Sequence, residues 1–468
     1  MSHTIAIRAA RLTLAVGLAI AVATLNPTTA GSTPAPRQTT APGARVTNLD
    51  VRAASGQRTR AAALPRQRTS AFAMVGVTWA VGASPARVEV QVRHGGQWTR
   101  WLPLRIHGDS SAGGRPGTDP LWVGRSDAVA VRTEGSARGL QVSLVDPGPD
   151  PDVDPALRLA ADGTPTYTPM PAMVSRAGWG ARAPKYCDYP RLADHVDGVI
   201  FHHTAGSNRY SRADAPRIVR GIQAYHMSGQ GWCDIGYNFL IDKYGVIYEG
   251  RSGGVLPQVR GAHAGNFTVN TYAMGVSMMG NLDRVAPSTA MKSAAVRLIG
   301  WRLGTNYLPA TGTYPIAGHA LPRIAGHRDV RRSGISPSTA TACPGRYGYS
   351  WMRTGLRARV AAYISAYDTV IRRRTAQLGE AVTGRVRVGE YPSGGGHKTE
   401  FAEGTLYARS SAWWVTGPLL AAYVERGEET GPLGFPTGDA VTTPTGAEQS
   451  FENGTLVCDA ATGIVTQK

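Results

Sequence analysis

The 468-residue sequence predicts an α/β fold, a mixed β-sheet flanked by helices, with a small all-β domain before it and β-rich repeats after it. Three observations carry this. Between residues 70 and 147, short apolar runs are separated by Gly, Pro, Asp and Ser. Between 172 and 367, strand-like and helix-like periods alternate. Within 376–468, Phe401-Ala402-Glu403-Gly404-Thr405-Leu406 returns as Phe451-Glu452-Asn453-Gly454-Thr455-Leu456, an offset of 50.

Taken in order, residues 1–30 have the pattern of a secretory signal peptide. Arg8 and Arg11 are basic, Leu12 to Leu25 is apolar, and Thr28-Thr29-Ala30 offers small residues for cleavage. The apolar run is shorter than the roughly 20 residues that span a membrane. The expectation is an exported, cell-wall associated protein with no transmembrane segment after cleavage, in an oxidising compartment. Residues 31–69 are rich in Pro, Thr, Ala and Arg without a hydrophobic period, and read as a disordered tail. In 70–147, the runs Phe72–Trp79, Val88–Val92, Trp98–Leu104, Ala128–Arg132 and Leu140–Val145 read as strands of a small β-sandwich-like domain. No catalytic constellation stands out there, so its expected role is accessory binding or spacing. Residues 148–171, rich in Asp and Pro, read as an acidic linker.

The α/β part opens at Met173. Gly198–His203 reads as a buried strand, Ala215–Met227 as a helix, and Tyr237–Ile241 with Val246–Glu249 as a hairpin turning at Gly245. Ala273–Met279 is a further strand and Ser288–Leu303 a helix. In Trp351–Ile371, Leu356, Val360, Ile364 and Tyr367 share one helical stripe, and Arg372-Arg373-Arg374 suits that helix's C-terminus. In the repeats, Leu378-Gly379 recurs as Leu433-Gly434-Phe435-Pro436, with Glu380-Ala381 standing in the first copy where Phe-Pro stands in the second.

With 42% hydrophobic and 18% charged residues, wholesale disorder and a polytopic membrane protein are excluded. Lys+Arg total 50 against 32 Asp+Glu, a net charge of +18. Such a chain favours anionic partners. The export signal makes anionic cell-wall polymers the expected class and not nucleic acid. The lysine-poor, arginine-rich composition also reflects a GC-rich coding sequence.

Seven of the 11 histidines lie between 195 and 327. His202 and His203 end an apolar strand, where side chains alternate, so one of them faces any given site. His327 lies in Gly326-His327-Arg328-Asp329, and Cys343 in Thr341-Ala342-Cys343-Pro344-Gly345. Two imidazoles and a thiolate suit zinc with a fourth position left for water, although the spacing by itself does not bring them together. In an exported protein Cys187 and Cys233 can pair as a disulfide, a second metal site being the alternative, and Cys458 is left free or intermolecular.

Read together, the motifs Ser175-Arg176-Ala177-Gly178-Trp179-Gly180, Ile200-Phe201-His202-His203-Thr204-Ala205, Gly231-Trp232-Cys233-Asp234-Ile235-Gly236-Tyr237-Asn238-Phe239, Tyr248-Glu249-Gly250-Arg251, Gly261-Ala262-His263-Ala264 and Gly326-His327-Arg328-Asp329 resemble a known family. It is that of the zinc-dependent N-acetylmuramoyl-L-alanine amidases of the peptidoglycan recognition protein (PGRP) type, with the amidase-2 fold. The resemblance covers about 172–350. The carboxy-terminal repeats are similar to LGFP repeats of wall-associated proteins, in two copies.

The resemblance implies a secreted peptidoglycan hydrolase that cuts the amide between the lactyl carbonyl of muramic acid and L-alanine. It implies Zn2+ held by His202, His327 and Cys343, catalytic roles for Tyr237 and Thr341, and substrate contacts from His226, His263, Asn238 and Arg251. Glu249 and Asp329 read as structural partners and not as the general base. The sequence departs from the family pattern twice. His327 and Cys343 are separated by 15 residues, more than the family usually places there, so that 331–338 reads as an inserted loop. Ile316-Ala317-Gly318-His319 also nearly duplicates Ile324-Ala325-Gly326-His327, which makes His319 a rival ligand, although His327 alone continues as Arg-Asp-Val. The alternative function is a non-catalytic peptidoglycan-binding protein. Members of that kind typically lose the Cys or the first His, and here both are present.

Overall fold

In Val88-Glu89-Val90-Gln91-Val92 the period-two pattern puts three valines on one face. In the computed structural model they lie fully buried in the strand Ser84–His94. The structure describes residues 43–51, 62–107, 114–136, 138–151, 156–157, 167–185, 191–336 and 341–468. The expected signal peptide, the first part of the expected tail and Cys187 lie outside the described residues. Residues Ala41–Lys468 belong to one unit.

The all-β region is a nine-stranded sheet running, along its main path, from Arg45–Asp50 through Gln141–Asp146, Ala63–Thr78, Leu121–Ser136 and Ser84–His94 to Gln97–Trp98. The two 16-residue strands Ala63–Thr78 and Leu121–Ser136 pair antiparallel with three register shifts, where a sheet can bend. One face carries Val75, Val77, Val88, Val90, Val129, Val131 and Leu144 into its own core. From the other face, Met74, Trp122 and Val145 enter a core shared with Ile218, Ile222 and Tyr225 of the α/β domain. The expected disordered tail is corrected for its described residues, 43–51 and 62–69. Arg45–Asp50 pairs residue by residue with Gln141–Asp146, and Ala63 begins a long strand. The segment has little apolar periodicity because it is held by backbone pairing to an edge together with a few side chains, Val46 against one core and Leu49 and Val51 against the other. The expected acidic linker is corrected in part as well. Ala156–Leu157 pairs with Met173–Val174, and the carbonyls of Pro147 and Gly148 accept hydrogen bonds from Arg220.

The α/β domain has a seven-stranded mixed sheet with Gly198–His203 between its parallel neighbours Ala273–Met278 and Ile324–Gly326. Phe239–Ile241 and Ile247–Glu249 form the expected antiparallel hairpin, with Gly245 at φ +82° in the turn. Val199 and Phe201 face a core with Leu298, Ile299 and Trp301 of the helix Thr289–Thr305, whereas Ile200 faces a different core with Tyr314 and Val330. Ser288 caps that helix by accepting from Met291 N at 3.1 Å. The helix expected over Trp351–Ile371 is broken. Arg357–Ser365 ends, and Thr369 caps a new helix, Val370–Leu378, by accepting from Arg372 N at 2.9 Å. The three arginines 372–374 therefore lie near the start of a helix and not at the end of one.

The carboxy-terminal region holds two four-stranded antiparallel sheets. Phe401 and Phe451 both end a second strand, Gly404 and Gly454 both begin the third, and Leu406 and Leu456 are both fully buried. The sequence repeat is thus a structural one. Among the described residues, no helix is long and apolar enough to cross a membrane.

Candidate active site

The end of Gly198–His203 sets the site. All six of its residues are buried, and alternation sends His202 and His203 to opposite faces. His203 Nδ1 accepts from Leu282 N at 3.0 Å. His202 faces the site. The adjacent parallel strand ends at Gly326, and the next residue, His327, opens the helix His327–Arg332. Asp329 fixes that start by accepting from Gly326 N at 2.8 Å and from Tyr349 Oη at 2.6 Å. It is a structural carboxylate, as is Glu249, which accepts from Arg176 N at 3.0 Å.

Ligand atoms of His202, His327 and Cys343 all lie within 4.8 Å of one another, and the three residues are 1%, 1% and 3% exposed. His202 Nδ1 stands 3.6 Å from Cys343 Sγ. A tetrahedral zinc with N and S ligands needs an N···S edge of about 3.6 Å, so the donors fit that ion. His202 Nε2 meets His263 Nδ1 at 3.1 Å, the kind of outer contact that fixes a ligand's tautomer. Burial pulls His263 down to about 3, so it is neutral and can accept there. Its ring is seated against Gly275 and Gly261, where an added Cβ would come within 2.3 and 2.4 Å of it. Burial also pushes the Cys343 thiol up to about 12 in the metal-free chain, so that metal uptake must displace its proton.

The Tyr237 ring lies 5.4 Å from that of His202, and burial holds its hydroxyl well above the usual phenol range, so it remains a donor. Thr341 Oγ1 accepts from Cys343 N at 3.1 Å and from Arg105 Nη2 at 2.8 Å. The His226 ring lies 4.5 Å from that of Trp232, tilted by 37°, and beside Tyr237.

Two of the expected substrate contacts hold backbone in this structure. Asn238 is buried, its Nδ2 donating to Val259 O at 2.7 Å and its Oδ1 accepting from Gly275 N at 2.7 Å, so it clamps the backbone that seats His263. Arg251 is buried and donates to Ile235 O at 3.2 Å, near enough to His263 to oppose its protonation. The rival His319 is exposed, because its Ile-Ala-Gly-His copy forms a hairpin turn between Thr313–Ile316 and His319–Pro322, with Ala317 and Gly318 at positive φ. The expected loop at 331–338 is also corrected at its start, since Arg331 and Arg332 complete a helix, while Ser336 Oγ donates to Gly265 O at 2.9 Å. Residues 337–340 lie outside the described residues. Cys233 is disulfide-bonded, and Cys343 and Cys458 are free.

Sequence reasoning missed Arg105 and Asp119, which the all-β region brings to the site. Arg105 contacts His203 Nε2 as well as Thr341, and its Nε lies 3.7 Å from Asp119 Oδ2. Nothing local in the sequence marks either residue, because their proximity to the ligands comes from a sheet packed against another domain.

The family described as N-acetylmuramoyl-L-alanine amidase matches residues 192–346, and that described as Rv3811 N-terminal galactose-binding domain-like matches 27–158. Peptidoglycan recognition protein 1 of Bos taurus is 41% identical over 167 residues, 36% of this chain and 78% of the relative. Peptidoglycan-recognition protein SC1a/b of Drosophila simulans is 36% identical over 181 residues, 39% of this chain and 84% of the relative. Among solved structures, wild-type Drosophila PGRP-LB is 31% identical, covering 40% of this chain and 94% of that one, with a TM-score of 0.32.

Proposed function

Because this chain belongs to the peptidoglycan recognition protein family, of the amidase type, we propose that it is an exported, zinc-dependent N-acetylmuramoyl-L-alanine amidase acting on bacterial peptidoglycan. The observation that carries this reading is the complete donor set of His202, His327 and Cys343, gathered with Tyr237 beside it. A protein that merely binds the polymer has no chemical need of a buried thiol and two imidazoles in ligand geometry.

When bound, zinc would lower the pKa of a water towards about 7 and polarise the scissile carbonyl. The rest falls to the chain. His263 holds His202 in one tautomer through the 3.1 Å contact. The neutral hydroxyl of Tyr237 donates to the oxygen on which negative charge develops. Thr341 Oγ1 accepts from Cys343 N, which leaves its own proton to be donated to the same carbonyl oxygen. In balance, the water oxygen bonds to the lactyl carbonyl carbon, the C–N bond to L-alanine breaks, and the alanine nitrogen leaves with a proton taken from the water. The net charge of +18 supports retention on anionic wall polymers, which should weaken as salt rises.

The test is digestion of purified peptidoglycan by the zinc-loaded and the chelated protein, counting new amino-terminal alanine against new reducing ends. Alanine termini that appear with zinc and vanish with chelator uphold the amidase. New reducing ends, or tight binding with no new termini from either the resting or a released active site, overturn it.

A further inference from the structure

The residues assigned to chemistry and substrate contact are closed off. Tyr237 is 8% exposed, His226 5% and His263 2%. The space beside them is a cavity of about 10 Å3, lined by Thr118, Asp119 and Pro120 on one side and by His226, Tyr237 and His263 on the other. That is room for about one water, whereas a muramoyl peptide needs an open groove.

The cover is fitted and anchored. Arg115 N donates to Gln230 O at 2.8 Å, and Tyr225 Oη donates to Val77 O at 3.2 Å. An added Cβ on Gly114 would lie 2.1 Å from Gln230 O, and one on Gly117 2.8 Å from Tyr225 Oη, so side chains at either position would hold the segment off. Asp119 N donates to Arg105 O at 2.8 Å, and Arg105 in turn donates to Thr341 Oγ1 at 2.8 Å. The cover thus closes over His226, Tyr237 and His263 and, through Arg105, engages a residue assigned to carbonyl polarisation. Meanwhile the body of the sheet is held separately, by Met74, Trp122 and Val145 in the core they share with Ile218 and Tyr225.

We propose that residues 114–120, locked by Arg105, are a built-in plug, and that the folded chain is a latent amidase released when this segment is displaced while the sheet behind it stays docked. This rests on the amidase reading above.

The test uses the full exported chain and the double variant Arg105→Ala/Asp119→Ala. In metal-free protein, the rate at which iodoacetamide alkylates Cys343 reports access, with Cys458 as the internal reference. In zinc-loaded protein, hydrolysis of a soluble muramoyl tripeptide reports activity. A rise relative to the Cys458 reference reports opening. The plug predicts at least a tenfold rise in both readouts. Faster alkylation with no hydrolysis in either protein upholds the plug and sinks the amidase reading. Cys343 reacting in the unsubstituted chain as fast as in the variant overturns the plug, whatever the hydrolysis. Should the variant lose its cooperative melt, the unsubstituted chain decides by hydrogen exchange. Added tripeptide must speed exchange at the amides of Arg115 and Asp119, and hydrolysis with both amides still protected overturns the proposal.

Discussion

The two β regions that flank the α/β domain are attached by different chemistry. The amino-terminal sheet is docked by apolar side chains, Met74, Trp122 and Val145, and from that base it sends a polar tip, Arg105 and Asp119, to Thr341 and His203. The carboxy-terminal repeats are joined through Tyr307, whose hydroxyl donates to Glu390 Oε2 at 3.1 Å and pairs with Thr399 Oγ1 at 2.8 Å, and whose ring stacks on Phe401 at 6.4 Å. Arg385 adds a pair with Asp197 at 2.7 Å. Apolar burial fixes where a domain sits, and a few polar contacts then decide whether it touches the chemistry. Under the amidase proposal the first attachment bears on catalysis and the second on stability.

The largest effect that could break this comparison is at the ligands. Cys343→Ala should abolish zinc uptake and hydrolysis together, and metal analysis beside the alanine-terminus assay checks both. Hydrolysis persisting without Cys343 would detach the site from the metal. Next, Tyr237→Phe should lower kcat by about 10²–10³-fold, the scale of a lost oxyanion donor, while zinc content stays unchanged. His263→Ala should weaken zinc affinity by about 10–100-fold, since it removes the contact that orients His202. A chelator-competition titration reads this, and unchanged affinity would reduce His263 to packing. The smallest effect concerns the contrast between the two β regions. Tyr307→Phe should cost about 1–3 kcal/mol, because it leaves the buried Glu390 carboxylate short of a donor, with hydrolysis of soluble muropeptide unchanged. Denaturant melts give the first number, and a fall in hydrolysis would show that the repeats also reach the site.

Much of the site is legible in the sequence because it is built from local rules. Alternation in Val199-Ile200-Phe201-His202-His203 separates the two histidines, and the continuation Arg328-Asp329 distinguishes His327 from His319, since Asp329 is needed to cap the helix that His327 opens. What escapes is what depends on distant pairing. Arg45–Asp50 carries little apolar pattern and is a strand because Gln141–Asp146 offers it an edge. Asn238 sits in a motif associated with the site, yet its amide is spent on backbone at Val259 and Gly275, a role that no spacing announces. Arg105 and Asp119 are ordinary surface-type residues by sequence, and become part of the site only because their sheet packs on Ile218 and Tyr225.

The amidase proposal requires His202, His327 and Cys343 to form one metal centre. Cobalt(II) in place of zinc tests it without any substrate. A single centre should bind one cobalt ion with a thiolate-to-metal charge-transfer absorption that is lost in Cys343→Ser and retained in Cys458→Ser. A chain that takes up no cobalt, or an absorption that survives Cys343→Ser, would contradict it.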